Sequence, residues 1–154
     1  QGRVPPRFMN EELCHRNMAF SLYQADEMPL MKSGETKVEA IAGGIYRVRV
    51  DFTNPKLTPT ILAKAAQNHV VRPDLLTVEG TGGEVLSAGW VASKFRPGAT
   101  ELIDQPDPKR IVIRNGHAGR TTRTIEYLVR GTGTMTVTYD SAKGGKATAK
   151  VAVK

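Results

Sequence analysis

The pattern of apolar and polar positions changes period once along this chain. From Asn10 to Met28 (NEELCHRNMAFSLYQADEM) apolar residues recur at helical spacing. Met9, Leu13 and Phe20 form one line and Met18, Leu22 and Ala25 another, with Ala19 and Tyr23 beside them. The spacing predicts a helix capped by Asn10, with Glu11 and Glu12 at the positive end of its dipole. Met28-Pro29 ends it, because the residue before a proline disfavours helical geometry. So wide an apolar surface needs something to pack against. Phe20 and Leu22 are expected to be buried against the rest of the chain, with Met9, Leu13 or Met18 left partly exposed as a contact for another domain.

After a polar turn at Lys32, Ser33 and Gly34 the period becomes two. Val38, Ala40 and Ile41 open it, and Gly43-Gly44 reads as a turn. Ile45, Arg47, Arg49 and Asp51 then alternate with Tyr46, Val48, Val50 and Phe52, a half-buried strand that Asn54-Pro55 stops. Residues 59–68 (PTILAKAAQN) break the pattern. Thr58 as cap, Pro59 in the first turn and the run from Ala63 to Gln67 predict a short helix crossing between two sheets. Further strands are expected around Leu75, Leu76 and Val78, from Val85 to Val91, and, after a long loop over 93–108, from Arg110 to Arg114, Arg120 to Val129, Thr134 to Tyr139 and Ala147 to Val153. The turns between them carry Gly80, Gly82 and Gly83, then Asn115-Gly116, Gly131 and Gly133, and Ala142 to Gly145; Pro97, Gly98, Pro106 and Pro108 punctuate the long loop. Seven to eight short strands separated by such turns predict a mainly β fold, an immunoglobulin- or fibronectin-like β-sandwich with an N-terminal helix and one short crossing helix. Two regions follow: 1–30, a segment and helix that read as the end of an upstream domain, and 31–154, the sandwich.

Composition narrows the class only a little. The chain has 154 residues, 40% hydrophobic and 24% charged, enough for one domain with a real core. No run approaches the roughly 20 apolar residues of a membrane-spanning helix. Cys14 is the single cysteine, so no internal disulfide forms, and its place in the helix predicts a buried, inert thiol. The segment before Asn10 resembles neither a protein start nor a signal peptide, and the chain reads as a piece of a longer protein. The net charge of +7 falls on residues after 30, since Arg3, Arg7 and Arg16 are outnumbered by Glu11, Glu12, Asp26 and Glu27. Such charge permits an anionic partner without requiring one.

The closest basic cluster is Lys109, Arg110, Arg114, Arg120 and Arg123. Alternation puts Arg110 and Arg114 on one side of their strand and Ile111 and Ile113 in the core. On the next strand Thr122, Thr124, Glu126 and Leu128 face outward, and Arg123, Ile125, Tyr127 and Val129 inward. Arg123 is then expected at the strand's edge, and Glu126 on the solvent side among the basic groups. An interrupted stripe of this kind predicts weak, non-specific nucleic-acid binding at most.

Candidate chemistry is sparse. His15, His69 and His117 lie far apart, and none begins an H-x-x-E pair. There is no H-E-x-x-H, no paired cysteine, no G-x-S-x-G and no P-loop. His15 and His117 read as structural or exposed, and Asp104 and Asp107 as turn formers in a proline-rich loop. Tyr46, Phe52, Trp90, Phe95, Tyr127 and Tyr139 are expected in the core rather than as sugar-binding platforms. No catalytic, cofactor-binding or metal-binding residue is assigned.

Two stretches carry a family resemblance. His15, Arg16, Asn17, Ala19 and Phe20, within CHRNMAFSLYQADEMPL, are followed by Tyr46, Val48, Val50, Asn54, Leu57, Pro59 and Thr60, within GGIYRVRVDFTNPKLTPT. Together with the S-x-K-G-G turn from Ser141 to Gly145, these resemble the C-terminal region of bacterial zinc carboxypeptidase-like proteins. There the last helix of the peptidase domain leads into a β-sandwich. The resemblance implies an extracytoplasmic parent that hydrolyses peptide bonds through a zinc-bound water. Its zinc ligands and catalytic glutamate would lie upstream; nothing in this chain matches them. The expected function is a non-catalytic accessory sandwich whose partners are the upstream catalytic domain and a cell-wall or protein surface. The alternative is a polysaccharide- or nucleic-acid-binding module using a basic face; an enzyme with an unrecognised site is the remaining class.

Overall fold

The computed structural model describes residues 5–81, 83–93, 95 and 99–154. Gly82, Pro97, Gly98 and the first four residues, all used in the sequence reading, lie outside the described residues. A single 3-10 turn, Arg7–Met9, leads into helix α1, Asn10–Asp26. Nine strands and a second helix follow among the described residues: β1 Lys32–Ala42, β2 Ile45–Asn54, α2 Ala63–Gln67, β3 Asp74–Thr81, β4 Glu84–Val91, β5 Thr100–Leu102, β6 Arg110–Ile113, β7 Thr121–Arg130, β8 Gly133–Ser141 and β9 Gly145–Val153. They form two antiparallel sheets, ordered β1-β2-β7-β4-β5 and β6-β3-β8-β9.

That order identifies the fold. With β5 and β6 set aside, β1-β2-β7-β4 beside β3-β8-β9 is the A-B-E-D and C-F-G arrangement of a constant-type immunoglobulin domain. β5 and β6 are an insertion between the fourth and fifth strands of that plan, each adding an edge. α2 makes the expected crossing from β2 in one sheet to β3 in the other.

The core lies between the sheets and follows the period-two pattern. Val48, Val50 and Phe52 from β2 meet Ile125, Tyr127 and Val129 from β7, and opposite them stand Leu76, Ile111, Val137 and Tyr139. Burying such side chains contributes about 1.5–3 kcal/mol each. Antibody domains join their B and F strands by a disulfide; here the equivalent β2 and β8 meet through Phe52 and Tyr139, with ring centroids 5.5 Å apart.

The turns explain the register. Gly43 and Gly44 take φ of 60° and 74°, the paired left-handed conformation that a two-residue hairpin requires between Ala42 and Ile45. In the S-x-K-G-G turn the Ser141 hydroxyl accepts the N–H groups of Lys143 and Gly144, and Gly145 takes φ of 74° to start β9.

Several expectations are corrected. The helix cap is Met9, not Asn10, and no side chain closes it; the helix ends at Asp26, two residues before Met28. Phe20 and Leu22 are 60% and 62% exposed, and no residue of α1 is buried, because the sandwich closes on itself without it. Cys14 is accordingly exposed. Among the described residues α1 is tied down at its C-terminal end, where Lys56 Nζ lies 2.9 Å from Asp26 Oδ2, the Glu27 carboxylate accepts the Leu57 N–H at 2.6 Å and the Glu27 carbonyl accepts the Thr58 N–H. Thr58 therefore does not cap α2, whose N-cap is Leu62, and Pro59 precedes the helix instead of forming its first turn. The loop over 93–108 contains a ninth strand, β5, which pairs Thr100, Glu101 and Leu102 with Val91, Trp90 and Gly89.

Candidate functional site

One end of the sandwich gathers polar groups that are dispersed in sequence. β2 leaves its sheet at Asn54, whose buried amide accepts the Leu30 and Lys56 N–H groups and donates to the Thr58 carbonyl. This clamp turns the chain so that Thr60 points inward. The Thr60 hydroxyl donates to Asp74 Oδ2 at 2.5 Å and accepts the His117 N–H at 2.7 Å. Tyr139 donates its hydroxyl to the same carboxylate oxygen at 3.0 Å. Thr60, Asp74, His117 and Tyr139 are all buried, so each bond is made in low dielectric, where losing a partner is costly.

His117 reaches this position because Gly116 takes φ of 64°. A Cβ there would lie 2.6 Å from Thr60 Oγ1 and 2.9 Å from Ile61 Cβ, so only glycine lets the turn after β6 settle onto the 60–61 segment. His117 Nε2 lies 3.1 Å from the Thr121 carbonyl, an acceptor, which fixes the proton on Nε2. Nδ1 and Asp74 Oδ1 have no hydrogen-bond partner among the described residues. Burial pulls the imidazole below its ordinary pKa of 6.5, and nearby Arg123 adds to that; the Thr121 bond and Asp74 oppose it. Burial and the Asp74 carboxylate push the Tyr139 phenol well above its usual range.

Above this network lies an open groove of about 570 Å³. Pro59, Ile61, Ala63 and Ala66 give it an aliphatic wall, and Gln67, His69 and Asn115 add polar groups. Arg114 and Arg123 also line it. Arg123 sits on the inward side of β7 at the strand's edge, 3.9 Å above the Trp90 ring, a cation–π contact. Desolvation there lowers the guanidinium pKa. Its inward-facing position at the edge is the one alternation predicted.

The other basic residues do not join this site. Lys109 and Arg110 are exposed where β6 begins, and Arg120, in a left-handed turn conformation, lies 3.8 Å from Glu27. Ile111 and Ile113 are buried as expected. Glu126 faces outward, yet it is 8% exposed, a correction to its expected solvation. Arg49 donates to it at 2.8 Å, Thr100 donates to its other oxygen, and Arg47 lies 3.6 Å away, so side chains of neighbouring strands cover it.

Of the histidines, His15 is exposed on α1, His69 lines the groove and His117 is buried in the network, not exposed in its turn. Asp107 accepts the Lys109 N–H, the turn role expected of it. Phe52, Tyr127 and Tyr139 are core residues, and Tyr46 and Trp90 pack against the core, whereas Phe95 is 96% exposed and is no part of it. Among the described residues no three His, Cys, Asp or Glu side chains gather where they could hold a metal ion, so these residues do not fit a zinc site. No helix of the described residues is long and apolar enough to cross a membrane. The four network residues come from positions 60, 74, 117 and 139; their local signals are a glycine turn beside His117 and the prolines before Thr60 and Asp74.

The strand order and this end site define an immunoglobulin-like β-sandwich. The chain belongs to the family described as "Domain of unknown function (DUF8731)", whose pattern matches residues 31–152 and leaves α1 outside. No curated protein matches the chain. Among solved structures, the GAE domain of GGA2p from Saccharomyces cerevisiae is similar over 82% of this chain and 90% of its own, with 14% identity and a TM-score of 0.31.

Proposed function

We propose that this chain is a non-catalytic accessory β-sandwich of a zinc carboxypeptidase-like polypeptide, in which α1 is the element that packs against the catalytic domain. One observation carries the reading. α1 holds Met18, Phe20, Leu22 and Tyr23 at 50–62% exposure, a density of exposed apolar side chains that an isolated surface helix does not need. Helices of this length are marginal in water without a packing partner. The tie at Glu27 fixes where the helix leaves the sandwich and leaves its length free for a neighbour.

Amide hydrogen exchange tests this. In the chain alone, Asn10–Asp26 exchanges far faster than β2 and β7. In a polypeptide that also carries the catalytic domain, the same amides become protected. Equal exchange of α1 in both would overturn the docking role, and peptide hydrolysis by the chain alone would overturn the non-catalytic reading.

A further inference from the structure

The groove beside α2 is a candidate ligand site that the accessory role does not use. Two features of its lining are unusual together. Its wall is aliphatic, from Pro59, Ile61 and Ala63, and two arginines, Arg114 and Arg123, line it. Among the described residues neither Arg114 nor Arg123 forms an ion pair or a hydrogen bond with a carboxylate. Several other arginines are paired: Arg49 has Glu126, Arg72 has Asp140 and Arg130 has Glu84, whereas the exposed Arg7 and Arg110, like the groove pair, have no carboxylate partner among the described residues. Glu101 acts on Arg123 only at longer range, and Trp90 holds the guanidinium plane in place without taking its N–H donors.

We infer that this groove binds the C-terminal residue of a peptide, its aliphatic side chain against Ile61 and its α-carboxylate between Arg114 and Arg123. A C-terminal residue places a carboxylate and an apolar side chain on the same carbon atom, which is the juxtaposition the groove offers. A guanidinium recognises a carboxylate through paired N–H donors, and one pre-positioned on an aromatic ring loses little freedom in doing so. Gln67 and Asn115, which carry side-chain amides, line the same groove. Each offers both a donor and an acceptor, the complement of a peptide bond, which a simple fatty acid would leave unused. A volume near 570 Å³ suits a ligand of two or three residues.

The chain contains one tryptophan, and Arg123 stacks on it, so Trp90 emission reports carboxylate arrival directly. The experiment titrates the full chain with N-acetyl-Ala-Ala-Leu, its C-terminal amide, N-acetyl-Ala-Ala-Gly and octanoate. The free-acid leucine peptide is expected to bind saturably, with Kd of about 0.1–1 mM, a range open to a small ligand on an open groove. The amide and the glycine peptide should each bind about tenfold more weakly or worse. Arg114→Ala removes an exposed side chain and Arg123→Gln removes the guanidinium while keeping part of the aliphatic stem; each should weaken the free acid about tenfold and leave the amide unchanged. The proposal is overturned if no saturation occurs by about 5 mM, if acid and amide bind equally, or if both arginine variants bind like the parent. Octanoate binding as tightly as the peptide would overturn the peptide assignment in favour of a simple carboxylate.

Discussion

β2 and α1 carry comparable apolar side chains and meet opposite fates. Val48, Val50 and Phe52 are completely buried, while Phe20 and Leu22 stand in solvent. The difference is not hydrophobicity. A strand's inward positions acquire partners as a by-product of sheet pairing, since β7 on one side and the facing sheet across the core are supplied by the fold itself. A helix satisfies its own backbone and needs a separate partner for its apolar side chains, which this sandwich does not provide. Period alone therefore reports the element, not its burial.

The contrast has a largest test. Phe52→Ala should cost about 3–5 kcal/mol, as truncating a buried phenylalanine does, measured by urea unfolding. A cost near that of a surface change would mean that the core is not where the strand pattern places it. Next in size is Tyr139→Phe. It deprives the buried Asp74 of a donor and should cost about 1–3 kcal/mol by the same measurement.

His117 gives a smaller, pH-dependent effect. Its native pKa lies below 6.5, so between the two values the unfolded chain binds more protons than the folded one. Its contribution is whole above 6.5 and is lost as the pH falls through the native value. The thermal midpoint should therefore drop between pH 7 and pH 5, and His117→Gln should flatten that part of the profile. An unchanged slope in the variant would show that His117 does not titrate with folding.

Tyr127 sharpens the reading of Tyr139. Its hydroxyl is buried without a partner among the described residues, and burial raises its pKa strongly. Tyr127→Phe should leave stability unchanged or raise it by up to about 1 kcal/mol, because it removes an unsatisfied group. Smallest of all is Phe20→Ala, expected within about 0.5 kcal/mol, as for a surface position. A loss above about 2 kcal/mol would erase the distinction between α1 and β2, since only a buried phenylalanine costs that much.

Much of the sandwich was legible because alternation and turn chemistry agree. The β2 and β7 faces, the Gly43-Gly44 hairpin and the crossing at α2 all follow from local pattern. β5 was hidden because three residues in a proline-rich loop carry no period, and it exists only because β4 offers an edge. The groove was half visible: alternation put Arg123 inward at an edge, but nothing local could bring Arg114 beside it. The polar network was invisible, since Thr60, Asp74, His117 and Tyr139 meet only once both sheets are in place. The burial of Glu126 was missed for a related reason, because its covering arginines belong to another strand.

The pairing of β2 with β7 also fixes when this domain can exist. Arg49 and Glu126, partners across that pair, are 77 positions apart. Contacts of such sequence separation close large loops before they return any stabilisation, so folding is expected on the millisecond-to-second scale typical of sandwiches. During synthesis the β1–β2 hairpin must wait, with one edge bare, until residues beyond 121 have left the ribosome. Hydrophobic strand edges held open in this way invite wrong pairings. The charged residues of β1, Lys32, Glu35, Lys37 and Glu39, then have a task in the nascent chain: they keep one border of the waiting hairpin from recruiting another copy.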